Sequence, residues 1–545
     1  MTFDFIKSSD TAAVNRAAAE SLADWLIITD ENFETDCEIT DILESFISEK
    51  NAVAVTFRIT PDDIGANYDP ATLKTGYIKE RAFAADREIF LAVGGFDEML
   101  SEKGCFELSA RLKTRGDIYY CPFAVAKRLN PPDEKQKYIK GLADDIFLAY
   151  KYGSKEDAAR AKKTFQNAVK NPIHFESVRK DLVKEYRAHF GKVPHFSKFR
   201  RQNPDLFSKV NLRLSPFEAA DRGVYSTTET DYSPLVSVVI RTHERKEILR
   251  RTLTCLRNQI YKNFQIVVAE DGKNTAEQMI KTDFADLNIK YFSTGENVGR
   301  GRAGNLGIEK ADGEYIAFLD DDDYYYADFL QSFVSHFSAH PDCNLAICWG
   351  MRYETDILSR EPYKFTVGKT YPIRFDRINL MDMCVKCRIP MPCAVFKKEL
   401  FEKAGGMHES IGGDEDWFMW LKFLKFRKRA NRNAPDIPRA LSLFGYPADQ
   451  KKRAQREKSY AEYDKLMLSD DSLVFTVTAD EIKEWENAVK ADALHLKKIG
   501  AAQSFMSSLN PMGCEAIKYA DGETLTLTAM QINKYYYYLM REYLK

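Results

Sequence analysis

The chain has 545 residues, which at roughly 150 residues per domain predicts three or four domains rather than one. Hydrophobic residues make up 44% and charged residues 29% of the chain, so disordered, collagen-like and coiled-coil classes are excluded. With 79 Lys and Arg against 81 Asp and Glu, the net charge is −2, and no overall positive field favours a nucleic-acid partner.

The first residues, MTFDFIKSSD, are acidic where a secretion signal needs basic residues followed by an apolar run. No uninterrupted apolar run approaches the roughly 18 residues that a membrane-spanning helix requires. We therefore expect a cytoplasmic protein, with a peripheral position at the inner face of the membrane left open.

The 10 cysteines are sparse and irregularly spaced, which is typical of reduced thiols rather than a disulfide framework. Cys384 and Cys387 form one CxxC pair with Cys393 nearby, so zinc is an alternative to buried or loop thiols. A zinc site would normally need a second pair, and Cys343 with Cys348 has poor spacing for it.

Residues 151–213 carry 16 Lys or Arg against 6 Asp or Glu. The segments DAARAKKTFQNAV and FESVRKDLVKEYRAHF have helical apolar spacing and predict a helical connector. Basic helices of this kind either contact an anionic membrane or a lipid-linked acceptor, or present a solvated face. The basic run LKFLKFRKRANR, near Leu424, leaves the same two alternatives open.

Four apolar, β-branched runs farther along the chain predict buried strands: LVSVVI from Leu235, QIVVA at 265–269, Ile289 to Phe292, and YIAFL at 315–319. Helix-forming or polar segments separate them. Strands that alternate with helices predict a parallel sheet, and ligands of such sheets bind beyond the carboxyl ends of the strands.

Four consecutive acids, Asp320 to Asp323, directly follow the fourth predicted strand. Adjacent carboxylates repel one another and raise each other's pKa unless a cation lies among them. A hard divalent ion that is also bound by phosphate oxygens explains the cluster. A solvated acidic turn is the alternative.

After Pro447 the sequence again predicts helices. Thr478 and Glu481 have the spacing of a capping box. In the last segment, Tyr535 and Tyr538 fall within one helical turn, where they could stack on sugar rings, although core packing or an oligomer contact is the commoner use of such a stripe.

Five ordered segments resemble the motifs of inverting family-2 glycosyltransferases of the GT-A fold. They are SVVIRTHERKEILRRTL, VVAEDGK, ENVGRGRAGNLGIEKADGEYIAFLDDDD, CAVFKKELFEKAGGMHE and GGDEDWFMWLK. The resemblance spans about Pro234 to Gly445. It implies an α/β, Rossmann-like domain with a mostly parallel sheet.

The resemblance assigns roles to individual residues. Thr242 and Asp271 would hold the base and ribose of the sugar nucleotide, and Asp416 would be the general base. The metal pair would be Asp320 and Asp322, with Asp322 the ligand of Mn²⁺ or Mg²⁺ and Asp320 nearer the ribose. Further donor contacts are implied for Glu244, Asn297, Gly299, Arg302 and Asn305, and acceptor-side contacts for Gly406, His408, Glu415 and Trp417.

The chain departs from the family pattern at three positions: Arg241 stands in place of Pro, Gly304 in place of Arg, and His408 in place of Asp. Arg302 either replaces the missing diphosphate-binding arginine or is a surface residue. His408 is either a metal ligand or a loop residue.

The first part of the chain repeats part of this pattern. Asn15, Trp25 and Asp30 align with Asn305, Tyr315 and Asp320 at an offset of 290, and residues 87–98 align with 398–409 at an offset of 311. The alignment predicts a second, GT-A-like unit at the N-terminus.

This unit is expected to be decayed. In the alignment, nothing corresponds to the first two predicted strands with Thr242 and Asp271. Its DxD equivalent is Asp30-Glu31-Asn32, and Cys105 stands where Asp416 stands in the other copy. Acceptor binding, packing against the catalytic domain and dimerisation remain open as its role.

We therefore predict four parts: a degenerate GT-A-like domain at 1–130, a basic helical connector at 131–233, a catalytic GT-A domain at 234–446, and a helical region at 447–545. The predicted function is a metal-dependent inverting glycosyltransferase that moves a sugar from a nucleotide sugar, UDP-linked, to a glycan or lipid-linked glycan, with Asp416 as base. The alternative is a non-catalytic glycan-binding or scaffold protein built from GT-A units. The sugar, the acceptor, the linkage and the oligomeric state are left open.

Overall fold

The computed structural model describes residues 1–61, 67–131, 133–170, 202–213, 221–223, 225, 227, 230–374, 378–428, 436–507 and 513–545. The chain divides into two compact units, Met1–Ala220 and Asp221–Lys545. Each unit has its own mixed sheet with helices, and the predicted α/β class is confirmed. The predicted helix FESVRKDLVKEYRAHF and the end of the basic run LKFLKFRKRANR lie outside the described residues.

The first unit has seven described strands in one sheet, in the order β1-β2-β6-β4-β7-β3 with β5 paired to β7. The strands are β1 (Phe3–Lys7), β2 (Trp25–Thr29), β3 (Phe33–Thr35), β4 (Ala52–Thr60), β5 (Lys74–Thr75), β6 (Ala82–Asp86) and β7 (Asp117–Arg128). The helices are α1 (Thr11–Glu20), α2 (Ile39–Glu49), α3 (Arg87–Ala92), α4 (Gly104–Leu112), α5 (Glu134–Tyr152), α6 (Lys155–Lys170) and α7 (Pro204–Ser208). Helix α6 contains the predicted helical segment DAARAKKTFQNAV.

The main sheet of the second unit has the order β10-β9-β8-β11-β17-β13-β18-β12, with β16 paired to β13. The strands of this unit are β8 (Val236–Thr242), β9 (Phe264–Glu270), β10 (Ile289–Ser293), β11 (Tyr315–Asp320), β12 (Tyr324–Tyr325), β13 (Leu345–Thr355), β14 (Ile357–Arg360), β15 (Tyr363–Phe365), β16 (Thr370–Ile373), β17 (Ala394–Lys397), β18 (Ile437–Pro447), β19 (Val474–Thr478) and β20 (Thr524–Thr528). Strands β14 with β15, and β19 with β20, form two small ladders.

The helices of the second unit are α8 (Lys246–Arg257), α9 (Glu277–Asp283), α10 (Arg300–Glu309), α11 (Phe329–Ala339), α12 (Leu380–Met383), α13 (Lys398–Ala404), α14 (Glu415–Phe426), α15 (Gln450–Leu468), α16 (Ala479–Lys498), α17 (Ala502–Ser507) and α18 (Ala529–Leu544). Among the described residues, none of these helices combines the length and the apolar character that crossing a bilayer demands.

The four strands predicted from apolar runs are β8, β9, β10 and β11, and they pair in parallel. Every residue of β8 is buried, because it lies between β9 and β11. Helix α10 packs closely on this strand, since a Cβ on Gly307 would come within 2.4 Å of Val239 Cγ1. The carboxyl ends of these strands therefore meet at one edge of the sheet, where the predicted site residues lie.

The two main sheets share one pattern of neighbours. In the first unit β1, β2, β6, β4, β7 and β3 follow one another as β8, β11, β17, β13, β18 and β12 do in the second. Each neighbouring pair has the same direction in both sheets: parallel at the first and fourth pairing and antiparallel at the others. Strand β1 takes the place of β8, so the expectation that the first unit lacks any counterpart of the first predicted strand is wrong. Within the described residues of the first unit, nothing continues the sheet beyond β1 as β9 and β10 do beyond β8.

The two units also share a specific side-chain contact. In the first unit, the Asn15 amide donates to Phe96 O (2.9 Å) and accepts from Phe96 N (2.8 Å). In the second, Asn305 donates to Met407 O (3.1 Å) and accepts from Met407 N (2.9 Å). A Cβ on the glycine just before Phe96 or Met407 would lie 2.4 or 2.2 Å from the asparagine oxygen. The Gly-Gly motif of each unit is therefore explained by this close approach.

In the first unit, charged side chains of helix α5 contact the residues at the start of helix α4. The Asp144 carboxylate on α5 accepts from the backbone N–H groups of Glu102 and Lys103, both at 2.8 Å. Lys151, also on α5, lies between the buried carboxylates of Asp97 and Glu107, at 2.8 and 2.6 Å. These charged contacts attach α5 to the residues just before α4 and to Glu107 within it.

The C-terminal region contains helices α15 to α18 and the β19–β20 ladder, and Thr478 and Glu481 form the predicted capping box of α16. The side chain of Tyr535 is buried beside Trp485 and donates to Glu486. Its ring therefore serves core packing, the commoner of the two predicted uses.

Candidate functional site

Residues that follow β8, β9 and β11 meet at the carboxyl edge of the second sheet. Thr242, at the end of β8, donates from Oγ1 to Asp321 Oδ2 at 2.6 Å. Asp271, directly after β9, is buried, and its carboxylate accepts from the N–H groups of Val298 (2.7 Å) and Gly299 (3.1 Å). The Asp271 carboxylate thus fixes the loop that leads into α10.

That loop positions two of the predicted donor residues. Asn297 is exposed, and its side-chain oxygen accepts from Gly299 N at 3.2 Å. Gly299 has φ +91°, in the region that favours glycine, and α10 begins at the next residue. The first N–H groups of α10 therefore lie at the same edge of the sheet as the acids.

The loop after β8 is held against the loop after β9. Glu244 adopts φ +51°, which is rare for a residue with a side chain, and its Oε1 accepts from Lys273 N at 3.1 Å. His243 Nδ1 contacts the Asp271 carbonyl oxygen. Both Glu244 and His243 are exposed at the rim of the edge.

The four consecutive acids have different environments. Asp321 is fully buried and pairs with Arg245, and burial together with repulsion from Asp322 raises its pKa to about 7, although Arg245 opposes this rise. Burial, with repulsion from Asp322 and Asp320, raises the pKa of Asp323 well above its usual range. Asp322 is 42% exposed, with Arg245 Nη1 at 3.5 Å. Among the four, Asp322 presents its carboxylate most openly to solvent.

Arg241 at the end of β8 joins the two halves of the site. Its guanidinium, 6% exposed, donates to Asp320 Oδ1 from Nε (2.9 Å) and Nη2 (2.7 Å). Its Nη1 donates to Glu415 Oε1 at 2.7 Å. Asp320 ends β11 and Glu415 begins α14, so one buried cation connects the predicted donor side to the predicted acceptor side.

Arg300, the first residue of α10, contacts the same two carboxylates. Its Nη2 lies 3.2 Å from Asp320 Oδ2 and its Nε 3.3 Å from Glu415 Oε1. We call Arg241, Arg300, Asp320 and Glu415 the arginine–carboxylate cluster. Burial alone would raise the pKa of Asp320 and of Glu415, but the two arginines outweigh it and lower both.

The cluster explains two departures from the family pattern at once. A Cβ on Gly304 would lie 2.7 Å from Met407 Sδ and 3.4 Å from Arg241 Cδ. A larger residue at 304 would therefore compete with the side chain of Arg241 for space. Gly304 on α10 and Arg241 on β8 therefore pack against each other. In the sequence they are two separate departures from the family pattern.

Asp416 lies in the first turn of α14, partly buried, and its Oδ1 accepts from Trp417 N at 2.8 Å. Burial and the neighbouring Glu415 raise its pKa to about 6, while Arg241 and Arg300 limit the rise. Because most of the group is ionised at neutral pH yet is more basic than an ordinary aspartate, it has the properties of a general base.

Asp414 has a different protonation state from Asp416. Burial and the nearby Asp464 carboxyl group on α15 raise its pKa to about 9. At neutral pH it therefore carries a proton, which disfavours it as the base.

Several residues predicted to touch ligands have structural contacts instead. The Trp417 indole is 3% exposed and donates from Nε1 to Met383 O at 2.6 Å, so it packs in the core rather than facing an acceptor. Next to the Gly-Gly motif, Asn305 holds the backbone of Met407, and Gly406 is enclosed by the side chains of Asn305 and Phe401. These positions support the site without lining it, because helix and loop packing consume their polar groups.

His408 and Arg302 each have a described partner outside the acidic run. His408 lies 3.5 Å from Asp470 and accepts from Ser410 N at 3.1 Å, which agrees with a loop residue. Arg302, 43% exposed, pairs with Glu409 at 3.1 Å. Neither side chain forms a described contact with the acids at the strand edge.

Sequence reasoning missed Arg300 and the role of Arg241. Arg300 follows Gly299 directly and begins the helix after the third predicted strand. A basic residue at that position, facing a run of acids across the edge, was the available signal. Arginines of the chain itself supply part of the positive charge that the acidic run led us to expect from a metal ion.

Residues 237–405 match the model of glycosyl transferase family 2. Over 202 residues the chain is 29% identical to an uncharacterised glycosyltransferase of Rickettsia typhi, covering 36% of this chain and 61% of the relative. A glycosyltransferase of Methanocaldococcus jannaschii is 31% identical over 198 residues, covering 35% of this chain and 64% of the relative. The chain thus spans about three-fifths of the length of these relatives.

Among solved structures, a mannosyltransferase of Pyrobaculum calidifontis in complex with GDP-Man and Mn²⁺ is 17% identical, with a TM-score of 0.34. The match covers 44% of this chain and 64% of that chain. A TM-score this low lends no weight to any conclusion about the chain.

The arginine–carboxylate cluster leads to a stability prediction. Replacing Arg241 with Met leaves the carboxylates of Asp320 and Glu415 without their buried partner, and we expect a loss of about 3–5 kcal/mol in unfolding free energy. Adding Glu415→Gln should recover part of this loss, because it removes one of the two charges. Denaturant unfolding of the full chain measures both effects.

The matched control is Arg257→Met, whose ion pair with Asp286 is on the surface and should contribute less than about 1 kcal/mol. If Arg241→Met is no more destabilising than this control, or if Glu415→Gln deepens the loss, the cluster does not act as described.

Proposed function

We propose that the chain transfers a sugar from a nucleotide sugar to a hydroxyl group of a glycan or lipid-linked glycan, with inversion, since residues 237–405 match the model of glycosyl transferase family 2. The observation that carries the proposal is Asp416, a carboxylate in the first turn of α14 whose pKa is raised to about 6, next to the cluster that includes Asp320. A base and an acid-lined strand edge side by side are what direct displacement at a sugar carbon needs.

The donor, which we propose to be UDP-linked, would bind over the carboxyl ends of β8, β9 and β11. Thr242 and Asp271 would lie at the base and ribose end, with the exposed Glu244 and Asn297 at the rim. The start of α10 supports this placement, because the first N–H groups of a helix and the half-exposed Arg300 both favour the negative charge of a diphosphate.

A divalent ion, Mn²⁺ or Mg²⁺, fits this edge at Asp322. Both oxygens of Asp320 already accept from arginines, whereas the carboxylate of Asp322 is 42% exposed. Carboxylate and phosphate oxygens are the ligands such ions prefer. A bound ion would help neutralise the charge that grows on the leaving diphosphate.

Asp416 would remove the proton from the acceptor hydroxyl as it attacks. A pKa of about 6 leaves the carboxylate ionised at pH 7 while keeping it a stronger base than an ordinary aspartate. Arg241 and Arg300 hold Glu415, the neighbour of this base, to Asp320 on the donor side. The distance between nucleophile and donor would therefore depend on the two arginines.

We predict that Asp322→Ala abolishes metal-dependent binding of UDP while the fold persists, because the lost side chain is partly exposed and its removal relieves repulsion. Calorimetric titration with UDP, with and without Mn²⁺, measures the effect. Asp312→Ala, which removes an exposed acid of the same domain, is the control and should bind as the parent does. Equal binding by Asp322→Ala and the parent would rule out Asp322 as the ligand.

A second prediction separates chemistry from binding. Asp416→Asn cannot accept a proton, so turnover of a nucleotide sugar should fall by roughly 10²–10⁴-fold with donor affinity retained. In the parent, kcat should rise with pH through an apparent pKa near 6, since the protonated carboxyl group is inactive as a base.

Asp414→Asn is the matched control. Asp414, with its pKa raised to about 9, is already neutral at pH 7, and a neutral amide should alter turnover far less. A loss with Asp414→Asn equal to that with Asp416→Asn would move the base to Asp414.

We further propose that the first unit binds no nucleotide. Within the described residues its sheet ends at β1, with no counterpart of β9 and β10, and Cys105 stands in the place of the base with a thiol pKa that burial raises to about 12. Titration of the Asp322→Ala chain with UDP and UDP-sugars should therefore show no stoichiometric binding. One equivalent bound there would identify the first unit as a second donor site.

A further inference from the structure

Three possible metal ligands meet at the edge of the second sheet opposite to the acids. His336 lies near the end of α11, Cys343 in the segment between α11 and β13, and Asp436 directly before β18. One ligand atom of each lies within 4.8 Å of the other two, and His336 Nε2 is 3.8 Å from Asp436 Oδ1. We call these three residues the His–Cys–Asp cluster. Within the described residues, no other group of His, Cys, Asp and Glu side chains is this close.

The spacing of the ligand atoms is close to that around a tetrahedral zinc ion. Zinc binds nitrogen or oxygen at about 2.0–2.1 Å and sulfur at about 2.3 Å, which places neighbouring ligand atoms about 3.3–3.6 Å apart. A pair of atoms at the 4.8 Å limit would have to approach by about 1.2–1.5 Å, and His336 Nε2 and Asp436 Oδ1, at 3.8 Å, by about 0.2–0.5 Å.

Groups around the cluster orient its ligand atoms. Asp436 Oδ2 accepts from Ile347 N at 2.8 Å and from Arg427 Nη2 at 2.6 Å, which directs Oδ1 toward His336. On the other side of the imidazole, His336 Nδ1 lies 3.4 Å from the Tyr225 hydroxyl. Hydrogen bonds to the far atom of a histidine or carboxylate ligand are the usual support of a protein metal site.

The cluster is buried and remote from the donor edge. The side chains of His336 and Asp436 are 8% and 4% exposed, and Cys343 is 3% exposed. Leu345, at the start of β13, is level in the sheet with Ile316, near the start of β11, because both pair with Phe396 of β17. The ion that we place at Asp322, after the end of β11, would therefore be at the opposite edge.

We propose that the His–Cys–Asp cluster binds a structural Zn²⁺ ion. Binding would replace the proton that the Cys343 thiol now donates to Leu345 O at 3.3 Å, and would release that proton to solvent. His340, whose ring centroid lies 4.6 Å from that of His336, or a water molecule would complete the coordination. The ion ties the end of α11 to the starts of β13 and β18.

This site differs from the zinc alternative that the CxxC pair suggested. The Cys393 thiol lies 3.1 Å from Ser442 Oγ, and the Cys387 thiol donates to Ile389 O at 3.5 Å. Within the described residues these thiols do not join a group of three possible ligands. Cys343 has poor spacing to Cys348 in the sequence, but in the structure it lies close to His336 and Asp436.

The test uses the full chain, stripped of metal with a chelator and titrated with Co²⁺ and with Zn²⁺. One equivalent of Co²⁺ should produce a thiolate-to-cobalt charge-transfer band, and one equivalent of Zn²⁺ should abolish it and raise the melting temperature. Asp322→Ala, which lacks the ligand proposed for the donor edge, should behave as the parent does. The absence of the band in the parent would overturn the proposal.

Cys343→Ala and His336→Gln should each weaken metal binding by at least roughly 10–100-fold, since even changes in groups that only orient a ligand cost that much. Cys348→Ala, which removes another buried thiol of the same region, is the control and should keep the band. Circular dichroism confirms that each variant is folded. A full charge-transfer band in folded Cys343→Ala, or its loss only in Cys348→Ala, would contradict the assignment.

Discussion

The buried guanidinium of Arg241 is the contact on which the second unit's site depends. It lies between Asp320, which ends a strand of the parallel part of the sheet, and Glu415, which begins a helix nearly a hundred residues later. Two carboxylates this close would repel each other, but the positive charge of Arg241 between them makes the net interaction attractive. The side chain of Arg241 needs the space beside α10, which explains why residue 304, one turn into that helix, is a glycine.

The same cluster explains why the neighbouring carboxyl groups differ in pKa. Asp320 and Glu415 have lowered pKa values because two arginines face them, whereas Asp416, one residue from Glu415, has a pKa raised to about 6. Asp414, against Asp464 and away from the arginines, has a pKa raised to about 9. The consecutive acids Asp414, Glu415 and Asp416 thus differ in pKa because burial and neighbouring charge differ at each.

The two units have the same order and direction of six strands but different residues at the edge of the sheet. In each unit an asparagine holds the Gly-Gly loop through its side-chain amide. In the first unit, Cys105 stands in the place that corresponds to Asp416, and burial raises the pKa of its thiol. Packing contacts within the core of the sheet and the chemistry at its edge are therefore separable in this fold.

The sequence by itself determined the parallel strands β8 to β11, because apolar runs of that length and composition have few alternatives, and it located the acids that follow them. It also identified Asn15 and Asn305 as equivalent positions. Only the tertiary structure decided that Trp417 belongs to the core, that Arg241 and Gly304 share one space, and that His336, Cys343 and Asp436 meet. The residues in these contacts lie up to 100 positions apart along the chain, as His336 and Asp436 do. Periodicity reports only on near neighbours along the chain and contains no information about such contacts.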